Sequence, residues 1–395
     1  MASQEILRED TRRSSYVNDP KVRGIAVQVV VVVALVAAVW WIANNAIDNL
    51  HRLHIASGFG FLKGRAGFDI STSLIEYSSD STYGRAIIVG LLNTAIVAIA
   101  GIVTATIIGF IVGIGRLSGN WLIAKICTVY VEIFRNIPPL LVIFFWYFGV
   151  LSVLPLPRES IALPFGSWLN SRGFYFPRAV WGDSIWLVGV ALLLAIAMSW
   201  FVARRARQRQ MATGQQFPVF WTCAALIVGL PLLAFVAAGF PLSFDLPKKS
   251  TFNLTGGFQV KPEFLSLYLA LSFYTAAFIA EIVRAGIRGV SRGQTEAAAA
   301  LGLRSGPILR LVVVPQALRI VIPPLTSQYL NLTKNSSLAI AIGYPDLTAT
   351  TGTVLNQTGQ AIECVVIMML VYLALSLITS AIMNWFNAKM ALVER

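Results

Sequence analysis

Apolar runs long enough to cross a bilayer recur along this 395-residue chain, and they constrain its fold more than any other feature. They lie at about residues 25–43, 86–114, 123–154, 183–203, 218–240, 264–288, 317–343 and 361–388. A hydrocarbon core of about 30 Å needs roughly 20 apolar residues in a helix. Helices and closed barrels alone satisfy their backbone hydrogen bonds in lipid. The sequence therefore predicts an all-α polytopic membrane protein with about eight transmembrane helices.

Composition excludes an ordinary soluble enzyme. Hydrophobic residues make up 56% of the chain and charged residues only 12%, whereas globular domains carry about 25% charged residues. A soluble fold of this composition would expose very large apolar patches. The net charge of +13 would point to nucleic acid in a soluble protein. Here we expect basic loops that face an anionic lipid leaflet, and no nucleic-acid partner.

Lysine and arginine are distributed unevenly between the loops on the two sides. With residues 1–23 inside, the inner segments carry an excess of arginines: Arg116, Arg204, Arg205, Arg207, Arg209, Arg292, Arg304 and Arg310. The outer loops hold fewer basic residues for their length and include acidic ones such as Asp69 and Asp183. This positive-inside pattern predicts that both termini lie in the cytoplasm. The first apolar run is too long for a signal-peptide core of about 7–15 residues, so it is predicted to stay as an anchor.

The chain divides into a five-span unit and two additions. The five spans occupy residues 85–154 and 263–390. A cytoplasmic segment, 1–23, is followed by an extra first helix with its outer loop, 24–84. Residues 155–262 form an insertion with two transmembrane helices and an outer part rich in proline and aromatic residues. The three cysteines lie in or beside apolar runs without CxxC spacing, so neither a metal site nor a disulfide framework is predicted.

The inner segment 289–316 has the composition of a short helix with a small-residue face. Thr295 is predicted to cap this helix, with Glu296 in its first turn, where a carboxylate suits the helix dipole. Alanines follow, and Gly302 suits a left-handed end. A second short helix is predicted from Pro307 to Val314. Another protein could approach such a face closely, whereas a merely solvated loop would not need so many alanines.

Several motifs resemble those of bacterial ABC-importer permeases. Glu296-Ala297-Ala298, Gly302 and Val312-x-Val314-Pro315 together resemble the EAA loop of that family in sequence and spacing. Further runs resemble the opening of the first core helix and the signatures of the polar amino-acid subgroup: Gly90 to Thr94, Val131 to Pro138, Tyr274 to Ile287 and Leu332 to Leu338. The insertion and extra first helix resemble the larger permease of general L-amino-acid importers of the Aap/Bzt type.

The resemblance implies a type I ABC-importer permease core that moves L-amino acids into the cytoplasm by alternating access. It implies a multi-pass protein of the bacterial inner membrane. The partners would be a second, paralogous permease subunit, two ABC ATPase subunits and a periplasmic substrate-binding protein. Five residues would couple the permease to the ATPase: Glu296, Ala297, Ala298, Gly302 and Pro315.

The chain has no nucleotide site of its own that the sequence can identify. The P-loop pattern G-x-x-x-x-G-K-[ST] does not occur. We therefore expect no enzyme activity and no cofactor in this chain, with ATP and magnesium held by the partner ATPase. The alternative is a secondary, ion-coupled amino-acid transporter. Such a protein would need a dense relay of intramembrane acids or histidines and a repeat with broken helices, and neither is evident.

Polar residues within the predicted spans are candidates for a substrate cavity, because they are costly in lipid. Lys334, with its neighbours Asn335 and Ser336, could hold the α-carboxylate of an amino acid. Asn93 and Thr94 could supply further hydrogen bonds. The alternatives are an interhelical salt bridge for the lysine, and helix packing or capping for the other two.

Two E-x-x-R pairs near the inner face form a candidate gate. They are Glu132 with Arg135 and Glu281 with Arg284. At this spacing each pair lies on one helix surface. One interpretation is that each pair neutralises its charges within its own helix. The other is that the pairs cross between the two helices and close the cytoplasmic end in one state.

Overall fold

The structure is a computed structural model that describes residues 20–52, 58–250 and 253–390. Most of the predicted cytoplasmic segment 1–23 lies outside the described residues. The helices are α1 (Pro20–Arg52), α2 (Tyr83–Gly115), α3 (Trp121–Asn136), α4 (Pro139–Phe144), α5 (Ile185–Thr213), α6 (Val219–Ala237), α7 (Pro262–Arg288), α8 (Arg292–Ala300), α9 (Ser305–Ile308), α10 (Val314–Asn335), α11 (Leu347–Thr358) and α12 (Ala361–Met390).

The predicted fold class is confirmed. Seven helices in the described part of the chain are long and apolar enough to cross a membrane, and α3 with α4 forms a bent pair that would make an eighth. The pair is bent by 111°, so the predicted span 123–154 is not one straight helix. Ile137 is extended between the two helices, because a residue before proline is pushed away from the helical conformation. A π-helical turn, Phe145–Leu151, continues α4.

The outer part of the insertion contains short strands, which the sequence analysis did not predict. They are β1 (Ile161–Leu163), β2 (Ser167–Asn170), β3 (Gly173–Phe176), β4 (Arg178–Trp181), β5 (Leu242–Asp245), β6 (Lys248–Lys249), β7 (Leu254–Thr255) and β8 (Phe258–Val260). One antiparallel sheet has the order β1-β2-β3-β8, and β4–β5 and β6–β7 form separate pairs. The pairing of β3 with β8 joins the two ends of the insertion next to the start of α7.

The two long helices of the insertion form an antiparallel hairpin. α5 runs through the arginine-rich stretch to Thr213, beyond the end of the predicted membrane span 183–203. Hydropathy marks where a helix leaves lipid, and the helix itself ends only where Gly214 adopts a φ of +70°. No side chain of α6 is buried. The β4–β5 pair closes the base of the hairpin, so its tip lies at the end opposite the strands.

The close-packed centre of the molecule is the crossing of α2 and α7. A Cβ added to Gly109 would lie 2.6 Å from the Cβ of Ile279, and one added to Gly113 would lie 2.7 Å from the carbonyl oxygen of Ala280. Small residues spaced four apart allow this approach. α10 packs antiparallel to α7, with Val321 against Gly286. The core therefore presents the C-terminal ends of α2 and α7 and the nearby α8 on one side.

Candidate functional site

The candidate coupling site is α8, between the spans α7 and α10. Ser291 precedes its first residue, and Thr295 lies inside the helix, where its hydroxyl donates to the carbonyl of Arg292 over 2.7 Å. The predicted cap at Thr295 is therefore wrong. A threonine hydroxyl inside a helix commonly returns to a preceding carbonyl in this way. Glu296 and Ala297 are exposed, while Ala298 is buried.

The predicted helix end at Gly302 is confirmed. Gly302 has a φ of +77°, and its N–H donates to the carbonyl of Ala299 over 2.9 Å. The N–H of Leu303 donates to the carbonyl of Ala298 over 3.3 Å. These two bonds form a Schellman motif, which satisfies the last carbonyls of the helix. The turn holds Leu301 with 82% of its surface exposed.

The second short helix predicted for this segment is not separate. α9 passes through a π-helical turn, Leu309–Val313, directly into α10. Pro315 lies in the first turn of α10 and is half-buried. In a regular helix a proline ring collides with the carbonyl four residues earlier. Here the wider π turn, Leu309–Val313, contains the residue four positions before Pro315. Leu309 and Leu311 are exposed on this connection, so apolar side chains lie on the surface beside α8.

The candidate inner gate centres on Glu281 of α7. Its carboxylate accepts hydrogen bonds from Arg284 on the same helix and from Arg116 just after α2. The nearest nitrogen of Arg135 on α3 lies 3.9 Å from the same carboxylate. Arg116 also reaches Glu132, with 4.0 Å between nitrogen and oxygen. Of the predicted pairs, one intrahelical pair, Glu281–Arg284, and one crossed pair, Glu281–Arg135, occur among the described residues. No ion pair within 4.0 Å joins Glu132 to Arg135 there, and Glu132 is reached by Arg116 instead. The cluster joins α2, α3 and α7.

Arg116 also belongs to this cluster, although its position in the sequence predicts only a place in an inner loop. Its side chain is 9% exposed, although it directly follows an apolar helix in an inner loop. Three guanidinium groups surround two carboxylates, which leaves one excess positive charge. The one feature of the sequence that indicates the role of Arg116 is its position immediately after Gly115, at the end of α2.

The structure places Asn93 and Thr94 at the end of the core opposite α8, which is the outer end in the predicted orientation. The amide of Asn93 donates to the carbonyls of Thr72 (2.8 Å) and Pro345 (2.9 Å). The hydroxyl of Thr94 accepts from the N–H of Leu347 over 3.0 Å. Both side chains are fully buried. They therefore tie α2 to the start of α11, as the packing alternative states, and their role in a substrate cavity stays a prediction.

Asp346 completes this outer junction. Its carboxylate accepts from the N–H of Ala349 over 2.8 Å and so caps α11. The hydroxyl of Tyr372 on α12 donates to the other carboxylate oxygen over 3.3 Å. Burial raises the pKa of Asp346 to about 6, against the lowering effect of these hydrogen bonds. The connection between the spans thus contains a carboxyl group that is sensitive to pH.

Lys334 lies near the end of α10 and is exposed in the isolated chain. No carboxylate among the described residues lies within 4.0 Å of its amine, so the salt-bridge alternative is not met inside this part of the chain. Asn335 is half-buried, and Ser336 is buried with its hydroxyl bonded to the carbonyl of Thr333 over 2.7 Å. Within the described residues no hydrogen bond joins Lys334 to Asn93, whose amide donates to the carbonyls of Thr72 and Pro345.

Comparison with known proteins places these features in a family. Residues 204–392 match the family model described as "Binding-protein-dependent transport system inner membrane component". The chain is 68% identical to the general L-amino acid transport system permease protein AapQ of Rhizobium johnstonii, over 95% of this chain and 94% of the relative.

Two further relatives match over nearly their full lengths. The putative amino-acid ABC transporter permease protein YhdX of Escherichia coli is 51% identical over 95% of this chain and 96% of the relative. The glutamate/glutamine/aspartate/asparagine transport system permease protein BztB of Rhodobacter capsulatus is 44% identical over 97% of each. These matches support an ABC permease over the ion-coupled alternative. The chain, a multi-pass inner membrane protein, belongs to the binding-protein-dependent ABC permease family as an amino-acid permease subunit of the Aap/Bzt type.

Proposed function

We propose that this subunit imports L-amino acids into the cytoplasm by alternating access and is driven through α8 by ATP hydrolysis on a partner subunit. The observation that carries the proposal is the exposed end of α8, where Leu301 projects from a glycine-terminated turn between two core spans. Its small residues let a groove on the ATPase approach the backbone closely. Movement of the ATPase is thereby passed to α7 and α10, which flank the helix.

The same proposal assigns the remaining partners. Two ABC ATPase subunits hold ATP and magnesium, a second, paralogous permease subunit completes the pathway, and a periplasmic binding protein delivers the amino acid at the end opposite α8. Both termini lie in the cytoplasm. The course of α12 supports this orientation, because it begins beside α11 at the outer junction and runs back toward the side of α8.

Site-directed cross-linking tests the docking role of α8. Leu301→Cys and Met211→Cys place thiols at side chains that are 82% and 86% exposed, both on the proposed cytoplasmic side. In the assembled complex, Leu301→Cys should cross-link to the ATPase, and Met211→Cys, in the last turn of α5, should not. The chain with its three native cysteines gives the background. Equal cross-linking at both positions, or none at Leu301→Cys in a complex that retains its ATPase, would contradict the proposal.

We place the substrate cavity at Lys334, with Asn335, Ser336, Asn93 and Thr94 as further contributors. An uncompensated charge costs roughly 2.5–3.5 kcal/mol at the centre of a transmembrane helix on insertion scales, and less toward a helix end such as that of Lys334. Because Lys334 is exposed and has no carboxylate partner among the described residues, a transported α-carboxylate would offset this cost by a charge-assisted hydrogen bond. The second permease subunit would cover this side of α10.

Lys334→Met should weaken uptake of amino acids while basal ATP hydrolysis by the assembled complex stays largely intact. Lys389→Met is the matched control, because Lys389 is an exposed lysine on α12 that stacks on Trp385 with its amine 3.9 Å from the ring centre. It should leave uptake unchanged. Failure of Lys334→Met to assemble would favour a salt bridge to another subunit, and normal uptake of every amino acid tested would exclude the substrate role.

We further propose that Glu132, Arg135, Glu281 and Arg284, together with Arg116, form the inner gate. The contacts of Glu281 with three arginines support this role, because they hold α2, α3 and α7 together at the end next to α8. Opening toward the cytoplasm would require the crossed pairs to separate, while the pair within α7 persists.

A further inference from the structure

The α5–α6 hairpin concentrates all of its charge at one place. Between Asp183 and Asp245 the only charged residues are Arg204, Arg205, Arg207 and Arg209. No carboxylate among the described residues lies within 4.0 Å of any of the four guanidinium groups. This stretch, the arginine tip, therefore carries four positive charges that the described chain leaves unneutralised.

The position of the arginine tip along α5 matches the boundary of a bilayer. The apolar part of α5 extends from Ile185 to Ala203, which at about 1.5 Å per residue spans roughly 28 Å. A hydrocarbon core is about 30 Å thick. Arg204 therefore emerges at the level of the lipid headgroups, and the helix continues beyond it to Thr213.

The four arginines line two grooves, one on each flank of α5. Arg204 and Arg207 border a groove with Trp200, whose ring centre lies 5.4 Å from the guanidinium carbon of Arg204. Arg205 and Arg209 border the second groove with Phe201 and Phe217. In each groove the aromatic residue that precedes the arginines along α5 lies on the membrane side. This arrangement suits a ligand with an anionic head and an apolar tail.

The surroundings of the hairpin favour lipid over protein as the occupant. None of the residues of α6 is buried, and only 11% of the apolar window of α5 is buried, so the rest of the described chain leaves the membrane part of the hairpin uncovered. Arginine binds phosphate with two parallel hydrogen bonds from a planar fork. Basic residues at the cytoplasmic end of a transmembrane helix are typical of sites for anionic headgroups.

We propose that the arginine tip binds the phosphate headgroups of anionic phospholipids in the cytoplasmic leaflet. Arg204 and Arg207 with Trp200 form one headgroup site, and Arg205 and Arg209 form the second. The inference rests on the proposed orientation, which places residues 204–217 on the cytoplasmic side. Lipid bound in this way would anchor the hairpin beside a transport core with which it shares little packing.

The test uses the complete permease–ATPase complex in nanodiscs that contain phosphatidylglycerol and phosphatidylcholine. After detergent extraction and washing, the phosphatidylglycerol that remains bound is quantified by native mass spectrometry. Arg204→Gln/Arg207→Gln should retain about tenfold less phosphatidylglycerol than the unaltered complex. Arg204→Lys/Arg207→Lys keeps the charge but lacks the planar fork, so its retention should fall about threefold.

Three results would overturn the site. Equal retention by the lysine and arginine forms would mean diffuse attraction to the surface, and equal retention of phosphatidylcholine would mean an unselective lipid annulus. Loss of the ATPase from the glutamine variant would mean that the arginines bind protein. The orientation has its own readout: a thiol at Gln208→Cys in intact cells should be labelled only from the cytoplasm. Labelling from outside would reverse the proposed topology, whereas lipid retention by the purified complex would still report on the site.

Discussion

Two pairs of long helices in this chain are built on opposite principles. In α2 and α7 the backbones meet at Gly109 and Gly113, and 61% of the apolar window of α7 is buried. In the α5–α6 hairpin, 11% of the apolar window of α5 is buried and none of the window of α6. The first pair bears the contacts of the proposed gate, and the second bears none of the candidate transport residues. Close packing in this chain therefore coincides with the family-like core, and the hairpin is available for contacts with lipid.

The largest expected effect comes from filling a glycine at the core crossing. Gly109→Val places a branched side chain where even a Cβ would lie 2.6 Å from the Cβ of Ile279. Overpacking of this kind should lower the free energy of unfolding by about 3 kcal/mol. Thermal unfolding of the purified permease measures the loss.

Gly229→Val is the matched control in the hairpin. Gly229 lies inside α6, and a Cβ there would have no heavy atom within 4 Å. The substitution should leave the melting temperature nearly unchanged. If the two valines destabilise the protein equally, the contrast between a close-packed core and a lipid-facing hairpin is wrong.

The next effect concerns the buried carboxyl group at the outer junction of the core. Because burial raises the pKa of Asp346 to about 6, the folded state binds this proton more tightly than the unfolded state. The resulting stabilisation is complete below the unfolded pKa near 4, and is lost as the pH rises through 6. The free energy of unfolding should fall by about 3 kcal/mol across this window.

Asp346→Asn isolates this contribution. Asparagine caps a helix about as well as aspartate, so α11 should still form, but the carboxyl group that titrates is gone. Melting temperatures measured between pH 4 and 7 should then lose most of their slope. A slope that persists in the variant would assign the pH dependence to other groups.

The smallest stability effect is expected at the inner cluster, where the functional effect is larger. Glu281→Gln removes the carboxylate that bonds Arg116 and Arg284. Loss of a charge-assisted hydrogen bond should cost about 1.5 kcal/mol. If the cluster closes the gate, basal ATP hydrolysis by the complex should rise while uptake falls.

Asp80→Asn provides the comparison for an ion pair outside the core. Asp80 pairs with Arg65 at 2.7 Å, and both side chains are largely exposed. Exposed pairs contribute about 0–1 kcal/mol, so hydrolysis and uptake should stay as in the unaltered complex. Unchanged ATP hydrolysis in Glu281→Gln would contradict a gating role for the cluster.

The features predicted correctly from the sequence are those that depend on residues close together in the chain. Apolar length gave the spans, and alanine propensity with a glycine in the left-handed conformation gave the end of α8 at Gly302. Hydropathy could not predict that α5 continues to Thr213, because it reports where lipid ends and not where hydrogen bonding ends. The wrong cap at Thr295 shows the same limit, since a helix can begin earlier than its most favourable capping residue.

Contacts between distant parts of the chain could not be predicted from hydropathy or local propensity. Phe174 of β3 pairs with Val260 of β8 across the whole hairpin. Arg116 meets Glu281 only because glycines bring α2 and α7 together. Thr94 bonds Leu347, a partner 253 residues away. The polar residues of the candidate site were therefore visible in the sequence, but their partners depend on tertiary packing.

The most direct test of the central claim compares two glycines that both end a helix with a positive φ and open space at the Cβ position, but at different places in the chain. Gly302 ends α8 with a φ of +77°, Gly214 ends α5 with a φ of +70°, and a Cβ at either would have no heavy atom within 4 Å. Aspartate should strain both backbones equally on the proposed cytoplasmic side.

Substrate-stimulated ATP hydrolysis by the reconstituted complex is the measurement. Gly302→Asp should lower it about tenfold, which corresponds to about 1.4 kcal/mol of lost coupling, while the permease still inserts. Gly214→Asp should leave it unchanged. Normal stimulated hydrolysis in a properly inserted Gly302→Asp complex, or an equal loss in both variants, would contradict coupling through α8.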